Sequence, residues 1–283
     1  MKFSKVAILG PGLLGGSIAL ALRERQLAAE ISLYGRSEQS LDGARRAGVT
    51  DQMFTDPQQA VEDAEVVIFC TPIGAMPSLA ETISPALDPF AVVTDVGSVK
   101  GCVVQALEPL FHGKARWVGS HPMAGSEQAG FAAARADLFE RSVSIVTPTE
   151  NTEPQAVEIA TQLWTALGCR VLTLDPLVHD QLVAQISHLP HLVAAALVQS
   201  ASAESLALIG NGFRDTTRVA AGPPPMWTDI LLSNRTALES VLGRLISTLE
   251  QARTQLQSGD EKGLHELLAQ ANHVRCQLGG QKK

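Results

Sequence analysis

Val6-Ala7-Ile8-Leu9-Gly10-Pro11-Gly12-Leu13-Leu14-Gly15-Gly16-Ser17, continued by Ile18-Ala19-Leu20-Ala21-Leu22-Arg23, decides the fold of this 283-residue chain. A short apolar run meets G-x-G-x-x-G, and a helical pattern follows. Gly10 permits a tight turn, Gly12 lets the backbone approach a pyrophosphate, and Gly15 lets helix and strand pack closely. Leu13, Leu14 and Gly15 open the helix, where free N–H groups and the positive end of the dipole favour phosphate. The competing reading is a glycine-rich turn without a ligand. The strand before and the helix after favour a dinucleotide.

Outward from this turn, strand-like and helix-like runs alternate. Glu30–Tyr34, Ala64–Cys70, Ala91–Asp95, Arg116–Gly119, Ser142–Thr147 and Arg170–Leu174 read as strands. Ser37–Ala47, Ala75–Leu87, Val99–Phe111 and Glu153–Leu167 are helix-compatible. Such alternation predicts an α/β domain with a Rossmann-type, doubly wound parallel sheet. After Asp175-Pro176 no clear strand follows. Leu177–Ser205, Met226–Leu256 and Glu261–Leu278 read as helices, with a breaker-rich interval from Gly210 through Pro225. The expected division is residues 1–174 as the dinucleotide-binding domain and 175–283 as an all-helical domain. Nothing is left over for a third, regulatory domain.

A net charge of −7 and the lack of a basic cluster before Lys282-Lys283 argue against nucleic acid as a partner. The N-terminal Lys2 and Lys5 with the following apolar residues resemble a secretory leader, but the glycines and Arg23-Glu24-Arg25 interrupt it. No run of about eighteen apolar residues is apparent, so no membrane span is expected. Cys70, Cys102, Cys169 and Cys276 are widely spaced and form no C-x-x-C, as suits reduced packing thiols. Together these features predict a cytoplasmic protein.

Ligands of open parallel sheets bind at the carboxyl ends of the strands, so the residues there are the chemical candidates. Thr71 and Pro72 follow one strand and stand near a cofactor's ribose or nicotinamide, or form a plain turn. Ser98, in Asp95-Val96-Gly97-Ser98-Val99-Lys100, either caps the next helix or presents its hydroxyl to a substrate oxygen. His121, in Gly119-Ser120-His121-Pro122-Met123-Ala124-Gly125, puts an imidazole at a strand end among small residues. It is the natural proton acceptor near neutral pH. At the second strand end, an NAD site usually carries an acid for the ribose hydroxyls. Here Arg36 and Ser37 occupy that place, which favours NADP over NAD, although Arg36 as a merely solvated side chain is the competing reading.

In the helical part, His188 and His191 of Ser187-His188-Leu189-Pro190-His191 share a helix face. A substrate-binding role is favoured over packing, and packing over a metal site. Pro190 should kink the helix. Arg218, in Asp215-Thr216-Thr217-Arg218, suits a carboxylate clamp, or else a surface ion pair with Asp215 or Asp229.

These segments in this order, with Met226-Trp227-Thr228-Asp229-Ile230, resemble the prephenate/arogenate dehydrogenase family of tyrosine biosynthesis. The resemblance spans nearly the whole chain, and the His121 and paired-histidine segments are its most specific parts. It implies an NADP- or NAD-dependent oxidative decarboxylation of prephenate or arogenate, with no metal. In it, His121 takes the ring hydroxyl proton and Ser98 hydrogen-bonds that oxygen. Arg218 and His191 hold carboxylate or side-chain groups, supported by Ser187 and Asp215. It also implies a homodimer built through the helical domain. Two alternatives remain: a β-hydroxyacid dehydrogenase or imine reductase, and a nucleotide-sensing protein without catalysis. The first usually relies on a lysine in its helical domain, and 177–234 contains none. The second leaves Ser98, His121, His191 and Arg218 without a task.

Overall fold

The computed structural model describes residues 2–279 of the chain. The glycine turn sits where the sequence places it, between β1 (Phe3–Leu9) and α1 (Leu13–Glu24). Then follow β2 (Ala28–Tyr34), α2 (Glu38–Ala47), β3 (Gln52–Phe54), α3 (Pro57–Val61), β4 (Val66–Phe69), α4 (Met76–Ile83), β5 (Val92–Asp95) and α5 (Gly101–Phe111). β6 (Arg116–Trp117), β7 (Gly119–Pro122), β8 (Val143–Thr147), α6 (Pro154–Ala166) and β9 (Arg170–Thr173) complete the α/β part. The helices α7 (Pro176–Val183), α8 (Leu189–Ser200), α9 (Ala203–Leu206), α10 (Asn211–Thr217), α11 (Pro224–Ser233), α12 (Arg235–Ser258) and α13 (Glu261–Gly279) follow.

Six strands form one sheet in the order β3-β2-β1-β4-β5-β6, and every pair in it is parallel. The strand order reverses between β1 and β4, the switch point at which such sheets bind ligands. β1 is buried on both faces. Val6 and Ile8 join one core with Ile18, Leu22, Leu41 and Trp164, and Ala7 and Leu9 join a second with Val61, Leu79, Ile83 and Phe111. That two-sided burial explains why the strand reads as a continuous apolar run rather than an alternating one.

Several expectations are corrected. Arg116–Gly119 is not one strand. The chain leaves the first sheet after Trp117 and enters a second, three-stranded sheet, β7-β8-β9, at Gly119. His121 therefore lies inside β7, paired with Ile145 of β8, and not at a free strand end. The short β3 and α3 carry too few apolar positions to show a period. The 177–205 helix ends at Ser200, and its middle, Ala184–His188, is a π-helix. Pro190 has no N–H to return to the Ile186 carbonyl and its ring crowds that carbonyl, which disturbs the helix at this widened turn. The breaker-rich interval contains α10 and a 3₁₀ turn at Arg218–Ala221.

The stretch Pro176–Ser200 is, contrary to expectation, long and apolar enough to cross a membrane by length and composition. Its inner face nevertheless carries His179, Asp180, His188 and His191, all buried. The chain divides into two compact units, Met1–Arg235 and Thr236–Lys283. Strands cease just before residue 175, but α7 stays with the sheet because Asp180 is hydrogen-bonded to the start of α5.

Candidate active site

The glycine turn is built for close approach. Gly10 has φ of +124°, and a Cβ there would lie 2.7 Å from the Cys70 carbonyl oxygen. A Cβ on Gly15 would meet the Gly10 carbonyl and the side chains of Cys70 and Ile8, so helix and strand touch through it. Gly12, in contrast, faces open space. It caps α1 without any side-chain acceptor, leaving the N–H groups of Leu13 and Leu14 for a ligand. Thr71 Oγ1, across the switch point, is buried without a hydrogen-bond partner, and Pro72 beside it is exposed. An orphaned hydroxyl, free helix N–H groups and an open cradle fit a dinucleotide.

At the end of β2, Arg36 is exposed and forms no ion pair among the described residues. Ser37 is the N-cap of α2: its Oγ accepts the Ser40 N–H at 3.3 Å, and its own O–H remains available.

One buried scaffold fixes His121. Asp95, at the end of β5, accepts from the Ser120 N–H at 3.0 Å, the Gly97 N–H at 2.8 Å and the Lys100 ammonium. Lys100 Nζ also donates to the Ser120 carbonyl at 2.8 Å. The Ser120 hydroxyl donates to the Asp95 carbonyl and accepts from Trp164 Nε1. These bonds clamp β7 to the carboxyl edge of the parallel sheet one residue before the imidazole. Burial pulls the Lys100 pKa down, against the opposing attraction of Asp95.

His121 Nδ1 lies 2.9 Å from His179 Nε2, and His179 Nδ1 lies 2.8 Å from Asp180 Oδ1. Burial holds the His121 pKa well below the usual imidazole value, and His179, Lys100 and His188 lower it further. His121 is therefore neutral at physiological pH, the state a proton acceptor needs. Burial also lowers His179, with Asp180 pulling back.

His188 and His191 share a face as expected, and Trp227 packs on both. Its ring is stacked on His191 with centroids 3.5 Å apart and edge-on to His188. His188 Nδ1 is 3.0 Å from the Asn234 side-chain nitrogen, and its Nε2 is buried without a partner. Burial pushes His188 down to about 4. His191 Nδ1 is likewise buried and unpartnered, and burial lowers that ring's pKa too. Ser187 is half-buried beside them. Ser98 does not cap α5. The first N–H groups of that helix go to Asp180, and the Ser98 side chain makes no hydrogen bond among the described residues.

Arg218 does not pair with Asp215 or Asp229. Its guanidinium meets Glu127 at 2.7 Å, while Asp215 is exposed and Asp229 accepts the Gly74 N–H. Sequence reasoning missed Lys100, Glu127, His179, Asp180 and Trp227. His179 had a faint signal, since it stands upstream of two further histidines on one continuous helical run.

Two family models match the chain. One is described as the nucleotide-binding domain of prephenate dehydrogenase, over residues 18–173, and the other as its dimerization domain, over 175–270. The chain is 35% identical to cyclohexadienyl dehydrogenase of Zymomonas mobilis, across 98% of this chain and 96% of that one. A structure of prephenate dehydrogenase from A. aeolicus, in complex with hydroxyphenyl propionate and NAD+, superposes with a TM-score of 0.91. It is 30% identical and covers 98% of this chain and 99% of its own. Synechocystis arogenate dehydrogenase superposes at 0.81, with 32% identity over 97% and 99% of the two chains.

Proposed function

We infer that this chain, which belongs to the prephenate dehydrogenase family, oxidatively decarboxylates prephenate or arogenate in tyrosine biosynthesis, using a nicotinamide dinucleotide. The observation that carries the residue-level reading is His121, a buried, neutral imidazole clamped to the ligand-binding edge of the sheet. Gly10, Gly12, Leu13, Leu14, Gly15, Thr71 and Pro72 would hold the dinucleotide, which supplies the hydride acceptor. Arg36 and Ser37 favour NADP, because an unpaired guanidinium and a free hydroxyl suit a 2′-phosphate.

His121 takes the proton from the ring hydroxyl as the carbon bearing it gives up hydride. Ser98 supplies a hydrogen bond to the same oxygen. The ring carboxylate then leaves as carbon dioxide, and its bonding electrons complete the aromatic ring. Arg218 and His191 hold the substrate's anionic and side-chain groups, with Ser187, His188 and Asp215 around them. Trp227 fixes the His191 ring by stacking. Substrate carboxylate replaces Glu127 on Arg218, exchanging one charged partner for another.

We assign residues 1–174 to cofactor binding and 175–283 to substrate binding and dimerisation. Leu177, Val178, Leu182 and Ile186 are exposed along one side of the helix at the start of the second part. Ile246, Leu249, Leu256, Leu268, Val274 and Leu278 are exposed in the second unit. Apolar faces of this extent suit a second copy of the chain. The unpaired cysteines fit a reducing, cytoplasmic setting. The deciding experiment is a steady-state assay with prephenate and arogenate, each crossed against NAD and NADP, on wild type and His121→Asn. The variant should lose about 10²–10⁴-fold in kcat while keeping its cofactor affinity. Undiminished turnover would remove His121 from the chemistry.

A further inference from the structure

Behind the proton acceptor lies a buried chain of polar groups that the reaction as described does not use. Asp180 sits on α7, and both its oxygens are engaged. Oδ1 accepts the Lys100 N–H at 2.7 Å and Oδ2 the Gly101 N–H at 2.8 Å, at the first turn of the eleven-residue helix α5. His179 Nδ1 is also 2.8 Å from Oδ1, and its Nε2 reaches His121 Nδ1 at 2.9 Å. His179 is fully buried, while His121 and Asp180 keep only 6% and 7% of their surface exposed. We propose that His179 and Asp180 are positioning residues that fix the tautomer of His121 and stabilise the imidazolium it becomes.

The direction of the chain follows from donor and acceptor counting. A carboxylate can only accept, so His179 must place its proton on Nδ1. Its Nε2 is then an acceptor, which obliges His121 to carry its proton on Nδ1. Nε2 of His121 is left as the bare lone pair, and it is the nitrogen that receives the substrate's proton. Once it has done so, His121 is a cation whose Nδ1–H points at His179, with the carboxylate one ring further on. The charged groups around the pair are few. His121 faces His179 on α7, Lys100 before α5 and His188 of the π-helix. His179 faces Asp180, Lys100 and Asp95. Lys100 is neutralised by Asp95, so Asp180 is the anion left to compensate the new cation.

The proposal rests on the reading of His121 as the base, and the test separates the two. In ¹⁵N-histidine-labelled protein, with the His121 signals assigned by their loss in His121→Asn, NMR should show Nδ1 protonated and Nε2 bare at neutral pH. Asp180→Asn removes the anion, while its amide oxygen can still accept from the Lys100 N–H and His179 Nδ1–H, so both imidazoles keep their tautomers. That variant should show the wild-type tautomer and lose about tenfold or more in kcat, with KM little changed. Removing the anion makes His121 harder to protonate, so the acid limb of kcat/KM should move to lower pH. His179→Gln, whose amide can accept from His121 and donate to Asp180, should recover at least tenfold in kcat over His179→Phe. An Nε2–H tautomer in the wild type would overturn the proposal. So would a kcat loss in Asp180→Asn with an unmoved acid limb, since that marks a merely structural tie between α7 and α5. If the wild type shows the expected tautomer but turns over neither substrate, the functional reading fails and the relay stands.

Discussion

Acid should destabilise this protein through the histidines buried around its site, and His188 makes the size of the effect calculable. The ring is fully buried, and burial sets its pKa at about 4, against the opposing charge of Asp180. In the unfolded chain the same ring titrates near about 6.5. The folded form thus binds the proton less tightly, so the unfolded chain takes it up first as pH falls. The contribution to stability is complete above about pH 6.5 and is lost progressively down to about pH 4. Two and a half units at about 1.4 kcal/mol each give a loss of about 2 kcal/mol by pH 5 and about 3 kcal/mol by pH 4. The control is His188→Asn, whose side-chain oxygen can still accept from Asn234, the present partner of Nδ1. His121, His179 and His191 remain in both proteins, so beyond His188 itself only its coupling to those rings differs. Urea unfolding followed by tryptophan fluorescence, at one protein concentration and a series of pH values from 7.5 to 4, gives the two stability curves. The wild type should fall more steeply than the variant, by about 2 kcal/mol at pH 5. Parallel losses in the two proteins would refute the reasoning, because His188 would then carry no penalty for protonation.

Three further outcomes are expected. Arg36→Ala should weaken NADP by about 1.5–3 kcal/mol and NAD far less, since only NADP offers a 2′-phosphate; equal weakening in a titration would remove Arg36 from cofactor choice. Arg218→Ala and Arg218→Lys should both raise KM with a smaller change in kcat, because lysine cannot make a two-point carboxylate contact. A normal KM in Arg218→Ala with a lowered melting temperature would leave the Glu127 pair as its whole role. Light scattering at micromolar concentration should give the mass of a dimer, and a monomer mass would mean that the exposed apolar faces serve something else.

The sequence alone determined whatever depends on neighbours along the chain. The turn at Gly10–Gly15 is dictated by local backbone freedom and by the strand and helix that flank it, so it was readable at once. The alternation that follows predicted the parallel sheet, because a right-handed crossover leaves few other ways to bury such strands. Arg36, Arg218 and the His188–His191 pair were visible as residue types placed at element ends or on one helix face, and His121 as an imidazole among small residues, although the strand end expected for it is the inside of β7. Tertiary structure alone decided what those residues meet. The division at Val118 between two sheets depends on pairing with Val93 on one side and Thr147 on the other, and neither is near in sequence. The pairing of Arg218 with Glu127 joins residues 91 positions apart. The clearest case is His179. In a straight α-helix it would stand roughly half a turn out of phase with His188 and about 120° from His191, at about 3.6 residues per turn. The π-helix at Ala184–His188 absorbs about one extra residue, which brings His191 to within about 20° of His179 and His188 to within about 80°. Pro190 announced a disturbance in that helix, but a proline can kink, break or widen one. Only the packing of this face against His121, the start of α5 and Trp227 selected the widened turn, because that geometry joins His179 to His121, Asp180 to α5 and the His191 ring to Trp227.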